Sequence, residues 1–134
     1  MNDIQSRDFS LLLAPITAAT TERTANLDCQ GASYASIVLA VSAEANTNST
    51  NVAVQLLESN DTTATNFATF NSTYNVTVDN ASAAQQPFHV DLRGRKRYLR
   101  IKVTPDTTTN GAVITSAVAI LDQQLRSTSD GLVG

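Results

Sequence analysis

The sequence predicts an all-β protein folded as a single-domain, jelly-roll-like β-sandwich. Eight or nine short runs of alternating apolar and polar residues recur along the chain, separated by clusters of Asn, Asp, Thr and Gly. No segment sustains the 3.6-residue period of an amphipathic helix. The chain is rich in Thr, Ser and Asn and has no Trp, a composition typical of thin strands with hydroxylated outer faces. An immunoglobulin-like sandwich is the main alternative, because alternation does not fix strand order.

The chain divides into an arm at residues 1–9, a sandwich domain at 10–122 and a C-terminal tail at 123–134. In the first half of the domain the alternation predicts strands at residues 11–19, 23–29, 34–42 and 52–58. Pro15 lacks an amide donor, so the first strand is expected at a sheet edge or a bulge. The run at 34–42 is apolar enough for a central strand.

In the second half, short strands are expected at residues 66–70 and 74–78, followed by a loop at 79–86. Residues 87–103 then predict a hairpin around a glycine turn, and a final long strand follows at 112–121. In the hairpin, alternation predicts one set of side chains facing inward: Phe88, Val90, Leu92, Leu99, Ile101 and Val103.

The predicted hairpin gathers six of the nine basic residues of a chain whose formal net charge is −3. Such a density indicates a docking surface, with an acidic protein surface as its natural complement. The alternative is that the charges solubilise an exposed strand and protect its edge from pairing with other chains. Nucleic acid is a poorer complement, because Tyr98 is the one aromatic residue among the basic residues at 93–102 and the rest of the chain is anionic. The candidate protein-binding residues are Arg93, Arg95, Lys96, Arg97, Arg100 and Lys102.

The inventory of chemically reactive residues is thin, so we expect no enzyme and no cofactor. Cys29 and His89 are the sole cysteine and histidine; they cannot form a standard zinc site, and we expect a buried apolar Cys29 and an exposed His89. No phosphate-binding glycine motif is present. The acids near strand ends are expected to cap turns, with a calcium site as the open alternative. The start of the chain has no signal-peptide pattern and no window is apolar enough to span a membrane.

Three segments resemble the capsid cement, or head decoration, proteins of tailed bacteriophages. They are APITAATTERTANLDCQGASYASIVLAVS at residues 14–42, VAVQLLESNDTT at 52–63, and VDLRGRKRYLRIKVTPDTTTNGAVITSAVAIL at 90–121. The signature is a Y-L-R-I-K-V strand followed by a T-P turn, and the likeness extends over residues 14–121.

The resemblance implies a jelly-roll subunit, often a homotrimer, that sits outside the assembled head and stabilises contacts between major capsid proteins. It implies no catalytic residues, folding in the host cytoplasm, and no contact with nucleic acid or membrane. The alternatives are another virion component, such as a head-completion, tail-tube or fibre sandwich, or a glycan-binding module. The absence of Trp counts against the last.

Overall fold

The computed structural model describes residues 7–18, 22–43, 50–79, 82–106 and 113–122. These residues form nine β-strands and one short 3-10 helix, Ala64–Asn66, between the fourth and fifth strands. The strands are β1 Arg7–Ala18, β2 Arg23–Asp28, β3 Tyr34–Val41, β4 Thr50–Ser59, β5 Ala68–Thr69, β6 Tyr74–Val78, β7 Ala84–Asp91, β8 Tyr98–Asp106 and β9 Val113–Asp122.

The strands build two antiparallel sheets with jelly-roll connectivity. Sheet A has the order β1, β9, β3, β7, and sheet B has the order β2, β8, β4, β5, with β6 also paired to β4. The pairs β1 with β9, β2 with β8, β3 with β7 and β4 with β6 are nested within one another and alternate between the two sheets. This nesting is the winding of a jelly roll, so the predicted fold is confirmed.

The core lies between the sheets and consists of thin aliphatic side chains. Alternate residues point inward, as on β3, where Ile37 and Leu39 are fully buried, and on β8, where Leu99 and Val103 are. The inward positions predicted for residues 87–103 are confirmed, with Phe88 packed against the core from the rim. Cys29 is buried among these residues, as expected.

The hairpin predicted at residues 87–103 is wrong, although both of its strands exist. β7 pairs with β3 in sheet A, whereas β8 pairs with β2 and β4 in sheet B. The connection at residues 92–97 therefore crosses from one sheet to the other. Alternation reports which side of a strand is buried and carries no information about its hydrogen-bonded neighbour, so two strands joined by a short turn can enter different sheets.

Pro15 lies on the edge strand of sheet A, and the register of β1 against β9 shifts between Leu11 and Leu13 and again between Leu13 and Ile16. Both expectations for this proline, an edge and an irregularity, are confirmed. The 34–42 run is also confirmed as interior, because β3 lies between β9 and β7.

Several boundaries differ from the predicted ones. β1 begins at Arg7, inside the predicted arm, and β7 begins at Ala84, inside the predicted loop. The strand expected at 66–70 is reduced to the two residues of β5. The remainder of the arm, residues 1–6, and the tail, 123–134, lie outside the described residues.

Candidate binding surfaces

The loop at residues 92–97 places most of the candidate basic residues at one end of the sandwich. A tight turn at its start is closed by the Arg95 amide, which donates to the Leu92 carbonyl at 3.0 Å. Gly94, with φ +82°, occupies the third position of this turn, where a positive φ favours glycine. The predicted glycine turn is thus present. The Lys96 amide donates to Glu58 Oε2 at 3.1 Å and ties the loop to sheet B.

Most of the six cations are bound by other groups of the same chain. Four pair with acids at or next to strand ends: Arg93 with Asp91 at 2.6 Å, Arg95 with Glu58 at 3.4 Å, Arg97 with Asp28 at 2.8 Å and Lys102 with Glu22 at 3.0 Å. The fifth, Arg100, donates from Nε to Asn26 Oδ1 at 2.7 Å. Within the described part of the chain, the Lys96 ammonium is the one cation of the six without a side-chain partner.

Three of the arginines also lie over aromatic rings. Their guanidinium carbons stand 4.1–4.8 Å from a ring centroid: Arg95 over Phe70, Arg97 over Tyr98 and Arg100 over Phe67. A guanidinium held between a ring and an acceptor is fixed in orientation and partly neutralised. Contacts within the chain therefore hold most of these basic residues in place, which their spacing in the sequence did not indicate.

Two of the ion pairs shift pKa values in the stabilising direction. Hydrogen bonds from Arg93 lower the pKa of Asp91 to about 2, and the same contact raises the pKa of Arg93. Hydrogen bonding to Asp28 likewise raises the pKa of Arg97. The lowered pKa of Asp91 and the raised pKa values of Arg93 and Arg97 keep these three groups charged across the physiological range.

Because residues 92–97 cross between the sheets, the strands before and after them have their outward residues on different faces of the sandwich. Arg100 and Lys102 project from the outer face of sheet B, whereas His89 and Asp91 belong to the outer face of sheet A. His89 is exposed, as predicted; its Nδ1 lies 2.9 Å from the Ser36 hydroxyl and its ring stacks on Tyr34.

The outer faces of the two sheets have opposite character. On sheet B the outward residues are largely polar or charged, and hydrogen bonds such as Thr77 to Asn51 at 2.6 Å join neighbouring strands. On sheet A, one row of paired residues crosses all four strands and is entirely apolar: Leu11, Val118, Val38 and Pro87.

Further apolar residues flank that row on sheet A. Phe9 and Ile120 are paired in the next row, and Ile114 lies nearer the other end of β9. Phe9 is 56% exposed, Leu11 63%, Ile114 44% and Val118 39%. We define the apolar face as Phe9, Leu11, Val38, Ile114, Val118 and Ile120. An exposed set of this size on one surface is characteristic of a contact site.

Sequence reasoning did not find the apolar face, although the sequence contains a signal for it. In β9 both alternating sets are apolar: Val113, Ala117 and Leu121 point inward, while Val118 and Ile120 point outward. A strand with two apolar sides indicates cover on both faces of its sheet.

Two open clefts lie where the edges of the sheets meet. One, of about 400 Å³, lies beside β1 and β2 and is lined by Phe9, Leu11, Asn26, Leu27 and Leu121 among others. The other, of about 430 Å³, lies beside β7 and is lined by Leu56, Phe70, Asn71, Phe88, His89, Asp91 and Arg95 among others. The second cleft combines two aromatic rings with several polar groups.

Four of the acids near strand ends cap turns, as expected. In each case a carboxylate accepts a backbone amide two or three residues later: Asp28 from Gln30, Asp61 from Thr63, Asp79 from Ser82 and Asp91 from Arg93. Among the residues with described positions, no three His, Cys, Asp or Glu side chains group as metal ligands would. The same residues include no helix long and apolar enough to cross a membrane.

No protein-family model matches the sequence, and no curated protein matches it. Solved structures do share its fold. Tripeptidyl peptidase 2 matches with a TM-score of 0.56 at 9% identity, over 87% of this chain and 10% of that one. The structure of the Gx strain of infectious bursal disease virus matches with a TM-score of 0.54 at 10% identity, over 87% and 32%.

Tailspike protein 4 of bacteriophage CBA120, in its enzymatically active domain, matches with a TM-score of 0.51 at 12% identity, over 88% of this chain and 20% of that one. The present chain thus spans a third or less of each of these three proteins. At such identities the likeness establishes a shared β-sandwich fold, found in viral particles and phage tailspikes as well as in a peptidase.

Proposed function

We propose that the chain is a virion structural protein, a cement subunit that binds the outside of an assembled phage head and stabilises contacts between major capsid proteins. The observation that carries the proposal is the apolar face of sheet A on a sandwich whose opposite face is polar, because such a surface marks the protein as a subunit that assembles with other protein chains. The resemblance of residues 14–121 to phage cement proteins supports it, and so does the sharing of the fold with virus-particle proteins.

The mechanism is stabilisation by preferential binding. A subunit that binds the assembled lattice and not the separate capsid proteins stabilises the lattice by mass action. Subunits joined to one another gain further by avidity. No step of this mechanism needs a reacting group, so we propose that the protein has no catalytic activity and no cofactor.

Four of the six candidate basic residues lie in the loop at residues 92–97, at one end of the sandwich, and Arg100 and Lys102 project from the outer face of sheet B. Because five of the six already have acceptors in the same chain, their contribution to shell binding is smaller than free cations would give. Lys96 is the exception, since its ammonium has no partner among the described residues and is exposed. We expect Lys96→Ser to weaken shell binding at low salt more than Arg97→Ser does, with little difference at high salt.

The test of the proposal is the location of the protein in the virus. Virions of the phage that encodes the chain are purified and labelled with antibody against it for electron microscopy. Label on the head exterior, together with lower thermal stability of particles that lack the protein, is the expected result. Absence of the protein from purified virions overturns the proposal. Label confined to the tail indicates that the protein is another virion component and not a cement subunit.

A second candidate function, glycan binding, is favoured by the cleft beside β7. Phe70 and Phe88 supply apolar rings there, and Asn71, His89 and Arg95 supply polar groups at the same opening. Sugars bind to such combinations of a ring and hydrogen-bonding groups. A glycan array with the purified protein tests this function, with Phe88→Ala as the variant that must lose any signal; an empty array removes it.

A further inference from the structure

We propose that the apolar face of sheet A packs against the same face of a second copy of this chain. The inference names the partner of the surface on which the proposed function rests. The inference depends on the proposed function only for the assembly in which the pair would occur, since self-association can be measured with the purified protein alone. Three properties of the described residues support a second copy over other occupants.

The first property is that the exposed apolar side chains lie on one side of the molecule. Of the six large apolar or aromatic residues that are exposed in the described part of the chain, four belong to the apolar face and Tyr34 lies at its end. The sixth, Tyr74, is on β6 and is in edge-to-face contact with Phe88. A head-to-tail contact would need a second, different apolar patch. A single patch that joins identical chains must meet itself, which gives a two-fold pair.

The second property is charge. The paired rows that contain Leu11 and Phe9 carry no acidic or basic side chain at their described positions apart from His89 at the β7 end. Asp91, which is paired with Tyr34, and Asp122 lie at one end of the face, and both accept hydrogen bonds from the same chain. Two copies can therefore meet without opposing like charges, whereas an acidic or basic partner finds no complement in the centre of the face.

The third property is area. Four strands spaced about 4.8 Å apart, each about eight residues long at about 3.4 Å per residue, span roughly 500 Å² per copy. The two copies together then bury about 1,000 Å², which is near the lower limit for a specific interface. We therefore expect a pair of modest affinity in dilute solution that is favoured at the high local concentration of an assembly.

The geometry of a flat sheet face also sets the number of copies. Two faces can stack at about 10 Å and cover each other fully, as sheets do within a sandwich. A third copy cannot reach the central Val118 row without separating the first two. This expectation differs from the trimer implied by the resemblance, so the stoichiometry is a sharp test.

The experiment is sedimentation equilibrium of the purified chain from micromolar to millimolar concentration, with three variants. Val118→Asp and Leu11→Asp place a charge in the central row of the face. Ala53→Asp places the same charge on an interior strand of the opposite sheet, where its neighbours Asn75 and Thr104 are polar. Circular dichroism checks that each variant folds; Leu11 is on an edge strand and 63% exposed, so its variant is the safer one.

We expect a monomer–dimer equilibrium for the unmodified chain and for Ala53→Asp, and a dissociation constant at least about 100-fold higher for the two charged-face variants, because a buried unpaired carboxylate is costly. A monomer at every concentration, a trimer, or a dimer that Leu11→Asp leaves unchanged overturns the inference. A monomer that still binds heads through Val118 overturns it while the proposed function stands. If the protein forms the expected dimer but is absent from virions, the inference stands and the proposed function is overturned.

Discussion

Arg23 joins the two sheets, and its replacement by Met tests how the edge of sheet A is held. The residue begins β2 in sheet B, yet its guanidinium reaches sheet A. Nη1 donates to the Thr115 carbonyl at 2.6 Å and to the Thr115 hydroxyl at 2.9 Å, and Nη2 donates to the Ala14 carbonyl at 2.7 Å. Met keeps the apolar length of the side chain and removes all three bonds.

The expected loss of stability follows from the surroundings of these bonds. Thr115 is fully buried, so its hydroxyl is left without this donor, whereas the bond to Ala14 is exposed and contributes less. Hydrogen bonds to a charged group contribute about 1.5–3 kcal/mol each, and a partly exposed set adds to less than its sum. We expect the free energy of unfolding to fall by about 3 kcal/mol, which for a domain of this size lowers Tm by roughly 10 °C.

Urea denaturation followed by circular dichroism measures this loss, with Arg100→Met as the matched control. This control also replaces an arginine on a strand by Met. Arg100 has one exposed hydrogen bond to Asn26 and a ring contact with Phe67, so we expect the free energy of unfolding to fall by less than about 1 kcal/mol. If the two variants unfold at the same urea concentration, Arg23 does not bridge the sheets and the argument fails.

Three further predictions concern the core and two titratable groups. Leu39→Ala, at a fully buried site on β3, should lower the free energy of unfolding in urea by about 3–4 kcal/mol, and a loss below about 1.5 kcal/mol would contradict a tightly packed core. Hydrogen bonds from Arg93 lower the pKa of Asp91 from 3.8 to about 2, so the stability that this pair contributes is complete above pH 3.8 and is lost as the pH falls through about 2. Carboxyl NMR should show a titration midpoint for Asp91 near 2, and Arg93→Ser should return that midpoint toward 3.8. Burial raises the pKa of the Cys29 thiol to about 12, so a thiol reagent at mildly alkaline pH should react at least about 100-fold more slowly with native than with urea-unfolded protein, and equal rates would argue against burial.

Local patterns predicted most of the strands, because burial on one side of a strand is recorded every second residue. The bounds of β6 were predicted to the residue, and those of β2 and β3 within one residue. Errors arose where the pattern weakens. The polar start of β7 at residues 84–86 was assigned to a loop, since Gln85 and Gln86 belong to an edge strand with little to bury.

The candidate site was less predictable than the fold, because a site depends on which residues meet. The six basic residues all lie within positions 93–102 of the sequence, but three of the acids that pair with them, Glu22, Asp28 and Glu58, come from distant segments. No spacing in the chain reports such pairs. The apolar face had a local signal in β9, whereas its continuity with β1 and β3 depends on strand order.

By itself the amino-acid sequence determined an all-β domain with an aliphatic core, a buried Cys29, an exposed His89 and an edge role for Pro15. These features depend on each residue's own chemistry and on a two-residue period, both of which are local. Only the tertiary structure decided that β7 and β8 enter different sheets, that five of the six candidate cations are bound within the chain, and that apolar side chains of three strands form one surface. These features depend on pairing between distant segments, which is set by the free energy of closing the whole sandwich and not by any one of its strands.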